Sequence, residues 1–413
     1  MIQQPKCRFC ETPLTHTFVD LGATPLANSY VTAEDVAAGR DKAYRLHTRV
    51  CPQCFLVQVD DSVPPDAIFS DYLYFSSYSD SWVEFARRYA VTMKERFALG
   101  PQSLVVEIAS NDGYLLQHFK AMGVPVHGVE PAANVALAAE SIGVPTTVAF
   151  FGEATAKTLA AQDKTADLMA ANNVLAHVPG TLDFVKGFAT LLKPEGVATL
   201  EFPHVLNLIN EVQFDTIYHE HFFYLSLVAV EKIFAAAGLR VFDVEELPTH
   251  GGSLRIYVCR RNASHTQDAR VAALRSKEHA AQLDSLEGYA GFDPKVREVK
   301  RGFLEFLAQA KADGKSIAAY GAAAKGNTFL NYCGVTDKDM ICVFDRSREK
   351  QNYLLPGSHL PILPPEKIAD VKPDYVVILP WNLAKEISAS HGYISRWGGR
   401  FVTAVPRVKV LDT

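Results

Sequence analysis

The chain has 413 residues, a formal charge of −5, 48% hydrophobic and 21% charged residues, a composition that excludes disorder and short-repeat solenoids and suits two or three folded domains. Its acidic balance offers no broad electrostatic footprint for nucleic acid, and no stretch reaches the roughly 18 uninterrupted apolar residues of a membrane span. The start "MIQQPKCRFC" lacks the basic and apolar regions of a signal peptide, so the expectation is a cytoplasmic monomer acting on a small molecule, with no nucleic-acid or membrane partner.

Four of the seven cysteines fall in two pairs, "CRFC" (Cys7, Cys10) and "CPQC" (Cys51, Cys54). Paired CxxC knuckles place four thiolates where a tetrahedral zinc takes them, and with every position filled by protein the metal is structural. Two disulfides are the competing reading, which a reducing compartment disfavours. Residues 1–68 are therefore read as a zinc-binding module, its knuckles joined by apolar segments suited to short strands.

From Ser103 the pattern changes to alternating strands and helices, and residues 69–262 are read as one α/β domain. "SLVVEIA" is a buried-strand run, "SNDGYLL" a turn of small and polar residues, and "QHFKAMG" the start of a helix. The next strand, "PVHGVEP", ends at Glu130, 17 residues after Gly113. A strand, a turn that lets backbone approach a ligand and an acidic residue ending the following strand form a nucleotide-cofactor layout, with Glu130 placed for ribose hydroxyls. That layout alone does not separate a dinucleotide from S-adenosylmethionine. "ADLMAANNVLAHV" supplies a fourth strand ending at Asn172 and Asn173, and "LRVFDVEEL", the loop "PTHGGS" and "LRIYVCR" close the sheet.

Residues 263–413 read as a helical linker, most clearly "VREVKRGFLEFLAQAKADGK", and a smaller Rossmann-like unit with strands "SIAAY", "MICVFD", "YVVILP" and "RFVTAVP". Its loop "GAAAKG" is a poor dinucleotide fingerprint. Backbone amides at a helix start and the cation of Lys325 suit a diphosphate instead, with Asn327 adding a polar contact.

The segment "TIYHEHFFYLSL" sets Tyr218, His219, Glu220 and His221 side by side against Phe222, Phe223 and Tyr224. Core histidines on a half-buried strand or loop are the ordinary reading. However, the cysteine module, "EIASNDGYLL", "GVEPAANVA", "EFPHVLNLI", "QFDTIYHEHFFYLS", "HGGSLRIYV" and "YGAAAKGNT", in this order, resemble the nucleotide-sugar C-methyltransferases over essentially the whole chain.

That resemblance implies an α/β fold: a class I methyltransferase Rossmann-like doubly wound sheet, with an N-terminal zinc-binding module and a smaller C-terminal Rossmann-like domain. It implies S-adenosylmethionine held by Glu107, Ala109, Asn111, Asp112, Gly113, Glu130, Pro131, Asn172 and Asn173, although Ala109 and Asn111 stand where glycines are common. The implied partner is a nucleoside-diphosphate (dTDP-type) 4-keto-6-deoxysugar, methylated at C3. A carbon acceptor needs a base and an oxyanion stabiliser. His221 is the expected base, Glu220 its orienter, and Tyr218 and His177 the donors, with Tyr72 in support. Tyr74, His250, Gly251, Lys325 and Asn327 are expected to touch the substrate. An O-methyltransferase on a similar acceptor, a non-catalytic zinc-containing nucleotide-binding module and an RNA methyltransferase are the alternatives; the acidic balance opposes the last.

Overall fold

The structure is a computed structural model that describes residues 4–60, 63, 76–78 and 80–411; the expected site residues Tyr72 and Tyr74 lie outside the described residues. Its strands form three sheets. The first begins as an antiparallel meander of β1 (His16–Pro25), β2 (Ala43–Val50) and β3 (Val57–Val59). The two CxxC turns are built alike: the carbonyls of Cys7 and Cys51 accept from the amides of Glu11 and Phe55, which take left-handed φ values of 60° and 63°. All four sulfurs then lie within 4.8 Å of one another. Tetrahedral zinc with Zn–S near 2.3 Å asks for sulfurs about 3.8 Å apart. Separations of 3.6 Å (Cys7–Cys54) and 3.4 Å (Cys10–Cys51) are close to that spacing, so the cluster fits a closed zinc site.

The second sheet holds β4 (Val105–Ile108), β5 (Val126–Glu130), β6 (Thr146–Val148), β7 (Ala166–Asn172) and β8 (Leu192–Pro203). The chain then makes β9 (Phe223–Tyr224), which leaves this sheet, and returns with β10 (Leu239–Leu247) and β11 (Ser253–Arg260). The order β10-β11-β8-β7-β4-β5-β6, with β11 antiparallel between β8 and β10, is the class I methyltransferase order. Every residue of β4 is buried, as a central parallel strand covered on both faces requires. Its neighbours are β5 and β7, so the order reverses there and a crevice opens at the strands' carboxyl ends.

The destination of β9 decides the site. It pairs antiparallel with β3, Val57 opposite Tyr224 and Gln58 opposite Phe223, so a piece of the methyltransferase insertion becomes the edge strand of the cysteine module. Arg8 lies 4.8 Å from the Phe222 ring centroid, and Cys7, Cys51 and Cys54 share one apolar core with Phe202, Phe222 and Phe223.

The third sheet contains β12 (Ile317–Tyr320), β13 (Val343–Phe344), β14 (Ile362–Leu363), β15 (Tyr375–Ile378), β16 (Arg400–Thr403) and β17 (Lys409–Val410), in the order β14-β13-β12-β15-β16-β17. The linker helix Phe292–Ala312 buries Phe292, Val296, Val299, Phe303, Leu307 and Ala310, a stripe at helical spacing. Phe292 stacks on Phe18 of β1 at 4.4 Å, which joins the first and third sheets into one core. Among the described residues no helix is long and apolar enough to cross a membrane.

Freshly purified protein should hold about one zinc per chain by atomic emission. Cys51→Ser should lose that metal and lower the melting temperature, because the site is closed and structural. Loss of the metal at an unchanged melting temperature would contradict this assignment.

Candidate active site

At the end of β4 the chain turns with Ala109, Asn111 and Gly113 at φ of 54°, 49° and 80°. The left-handed conformations that glycine adopts freely are thus kept, with Ala109 strained by roughly 1–2 kcal/mol and Asn111 better tolerated. Glu130, ending β5, spans this turn: its two carboxylate oxygens accept from the amides of Asn111 and Ala132, both at 2.9 Å. Pro131, lacking an N–H, lies between those two contacts. Asn111 Oδ1 and Asp112 Oδ2 accept from the amides of Ser76 and Ser77 at 2.9 and 3.0 Å.

Around this turn many acceptors are left over. Glu107 Oε2, Asp112 Oδ1, Asn172 Oδ1 and Asn173 Oδ1 are buried without a hydrogen-bond partner among the described residues, as is the hydroxyl of Ser110. Burial first, then the charges of Glu130 and Asp112, push the Glu107 carboxyl well above its ordinary range. Acceptors without donors, gathered at one sheet edge, fit a cationic ligand rich in hydroxyl and amino hydrogens, which S-adenosylmethionine is. Phe150, which follows β6 two residues after the Val148 that pairs with Glu130, is 71% exposed; the sequence reading did not single it out.

The histidines gather close to the end of β7. His221 sets its Nδ1 against the Thr216 carbonyl at 3.2 Å, which assigns the ring proton there, so Nε2 accepts the Tyr218 hydroxyl at 2.9 Å. The His177 ring stands edge-on to it, centroids 4.6 Å apart. Burial, then the neighbouring His177, drive the His221 pKa well below the usual imidazole value, with His250 and Lys325 adding to the depression. His177 and His250 are both lowered to about 4, chiefly by burial. These three rings are therefore neutral at pH 7, competent to accept a proton.

The expected orienter is corrected. Glu220 takes its hydrogen bond from Asn28 Nδ2 at 2.8 Å, on the side of the cysteine module, and His221 is oriented by the Thr216 carbonyl instead. His219 faces away too, its Nε2 lying 3.2 Å from the Arg45 carbonyl, because Tyr218–His221 is a tight turn closed by the His221 amide on the Tyr218 carbonyl at 3.0 Å. Between these side chains the backbone is fixed at Phe222, whose amide donates to the Ala176 carbonyl at 2.7 Å and whose carbonyl accepts from Val59 at 3.0 Å.

A third wall comes from the C-terminal unit. In the loop before β11, His250, Gly251 and Gly252 have φ of 55°, 91° and 115°. A Cβ on Gly251 would stand 2.4 Å from the Trp381 ring, so glycine is what lets that ring close over the loop. Trp381 Nε1 donates to Asp215 Oδ2 at 2.7 Å. Lys325 lies 4.6 Å from the Trp381 ring centroid and donates to Asn382 Oδ1 at 2.8 Å. Asp215, Trp381 and Asn382 escaped the sequence reading; only the position of "QFD" just ahead of "YHEH" hinted at the first. Asn327 is fully buried, its Oδ1 accepting from Asn331 at 3.1 Å and its Nδ2 without a hydrogen-bond partner among the described residues.

Family models match the chain in three pieces: a zinc binding domain over residues 7–69, a methyltransferase domain over 82–244 and a C-methyltransferase C-terminal domain over 248–406. The chain is similar to the C-methyltransferase NovU of Streptomyces niveus, 34% identical over 407 residues, covering 98% of this chain and 97% of that protein. Among solved structures it is similar to the PH0226 protein of Pyrococcus horikoshii (14% identity, 47% of this chain and 98% of that one, TM-score 0.39). It is likewise similar to the magnesium protoporphyrin IX methyltransferase of Synechocystis with bound SAM (13% identity, 49% and 99%, TM-score 0.35). With three successive modules matched and a relative aligned end to end, the chain belongs to the C-methyltransferase family.

Proposed function

We propose that the protein is an S-adenosylmethionine-dependent C-methyltransferase that methylates C3 of a nucleoside-diphosphate 4-keto-6-deoxysugar through an enolate. The observation that carries this reading is the neutral His221, paired with Tyr218 and held beside His177: a base of this kind is needed at a carbon acceptor and has no work in a binding module. S-adenosylmethionine supplies an electrophilic methyl group, and the acceptor-rich crevice of Glu107, Asp112, Glu130, Asn172 and Asn173 supports its binding there. Phe150 is assigned to its adenine face. Residues 1–68, 69–262 and 263–413 are assigned to zinc, cofactor and nucleotide sugar respectively.

In this mechanism the ketone at C4 acidifies the C3 hydrogen. His221 Nε2 takes that proton, the C–H electrons move into the C3–C4 bond, and the carbonyl oxygen becomes an enolate oxygen. Once protonated, Nε2 no longer accepts from Tyr218, so the tyrosine hydroxyl is released to donate to the oxyanion. Base and oxyanion donor thus exchange a single hydrogen bond. His177 packs on His221 and helps keep it neutral between turnovers. Bound S-adenosylmethionine would supply the methyl group to the enolate carbon, the C–S electron pair staying on sulfur, and Phe223 and Tyr224, both buried beside His221, keep water from the carbanion. Lys325 and the amides at the start of helix Ala324–Cys333 are assigned to the diphosphate.

Incubation with methyl-labelled cofactor and a panel of dTDP-, GDP- and CDP-4-keto-6-deoxysugars, followed by mass spectrometry and NMR, tests the reading. A new C3–CH3 bond is expected; a methyl ether would overturn it. Glu130→Ala should weaken S-adenosylmethionine binding by roughly 1–3 kcal/mol. Unchanged affinity by calorimetry would remove Glu130 from the cofactor site.

His221→Asn should keep the fold and bind both ligands while losing about 100- to 10,000-fold in turnover. A smaller loss would move the base elsewhere.

A further inference from the structure

The contact between the catalytic segment and the C-terminal unit runs through Asp215. It stands on the short turn Phe214–Thr216, directly before the residue whose carbonyl orients His221. Its side chain is buried; Oδ2 accepts from Trp381, and Oδ1 has no hydrogen-bond partner among the described residues. The Trp381 ring, held by that bond and pressed against Gly251, carries the Lys325 ammonium on its face. A buried carboxylate with an unsatisfied oxygen is costly unless a cation compensates it. Lys325 provides that compensation, since each group favours the charged form of the other.

On the reading that Lys325 belongs to the acceptor's diphosphate cradle, we propose that Asp215 is a positioning residue. Its carboxylate fixes Trp381, and with it the Lys325 ammonium, in one orientation relative to His221, so that diphosphate binding and proton removal share a single geometry. The ionisable groups around this joint are Asp215, Lys325, His221 and His250, with His177 behind His221 and Glu220 turned toward Asn28. Burial raises the Asp215 carboxyl to about 6. His177 and His250 are held at about 4, and His221 well below the usual imidazole value, chiefly by burial. As pH falls through 6, Asp215 therefore gains a proton before His177 and His250 do and Lys325 loses its compensating carboxylate, whereas above 6 the carboxylate is intact.

The test is a double-mutant cycle with Asp215→Asn and Trp381→Phe, using whichever acceptor the wild-type holoenzyme methylates. Asp215→Asn should lower kcat/KM about 10- to 100-fold, leave S-adenosylmethionine affinity and melting temperature unchanged, and abolish an acid limb near pH 6 that the wild type shows and Trp381→Phe weakens. The double variant should be no worse than Asp215→Asn alone. Multiplicative losses, or an acid limb that persists in Asp215→Asn, would overturn the proposal. Should Asp215→Asn not fold, Trp381→Phe decides: a raised acceptor KM at constant cofactor affinity supports the joint, and an unchanged KM refutes it. A wild type that methylates only a hydroxyl removes the carbon-acceptor reading but not this one, because the same limb and the same non-additivity are then required with that acceptor.

Discussion

Everything in the catalytic region depends on the two hydrogen bonds of the Phe222 backbone. Its amide binds Ala176, one residue before His177, and its carbonyl binds Val59 at the end of β3. His221 is the preceding residue, so its ring and that of His177 are placed by neighbouring points on the same clamp. The arrangement holds only while β3 is in place, and β3 follows directly from the second CxxC turn. A cysteine cluster suited to a structural metal thereby helps to set the position of His221, as a supporting shell does for a reactive group.

Burial then determines the protonation states. The same desolvation that raises the carboxyls of Glu107 and Asp215 lowers His177, His221 and His250, because in each case the charged form is the one that loses water. The histidines are thereby kept neutral, and the carboxyls of Glu107 and Asp215 are both pushed up. Glu107, Asp112 and Glu130 cluster where acceptors lack donors. That asymmetry separates a crevice suited to a cation from a mouth suited to removing a proton.

Much of this was legible in the sequence, for identifiable reasons. The cysteine spacing led directly to a cluster, and buried runs such as "VVEI" marked the central strands, because close-range geometry and continuous apolarity are local properties. The turn at Ala109 and Asn111 departed from glycine in composition, yet its left-handed backbone was retained, so side-chain identity there understated the conformational match. Residue types did not reveal direction: Glu220 adjoins His221 in sequence but faces Asn28, and Asn327, two residues after Lys325, turns its Oδ1 toward Asn331 of its own helix. The two-residue strands β14 and β17 are too short to show any period. The Asp215–Trp381 bond joins residues 166 positions apart, and no local pattern encodes such a contact.

The central claim is that His221 removes a carbon-bound proton, and isotope exchange addresses it without requiring methyl transfer. The 4-keto sugar nucleotide would be incubated in heavy water with enzyme and S-adenosylhomocysteine, and deuterium at C3 followed by NMR. Wash-in catalysed by the wild type and lost in His221→Asn is the predicted result. Exchange by His221→Asn at the wild-type rate would contradict the account, because the proton would then leave through another group.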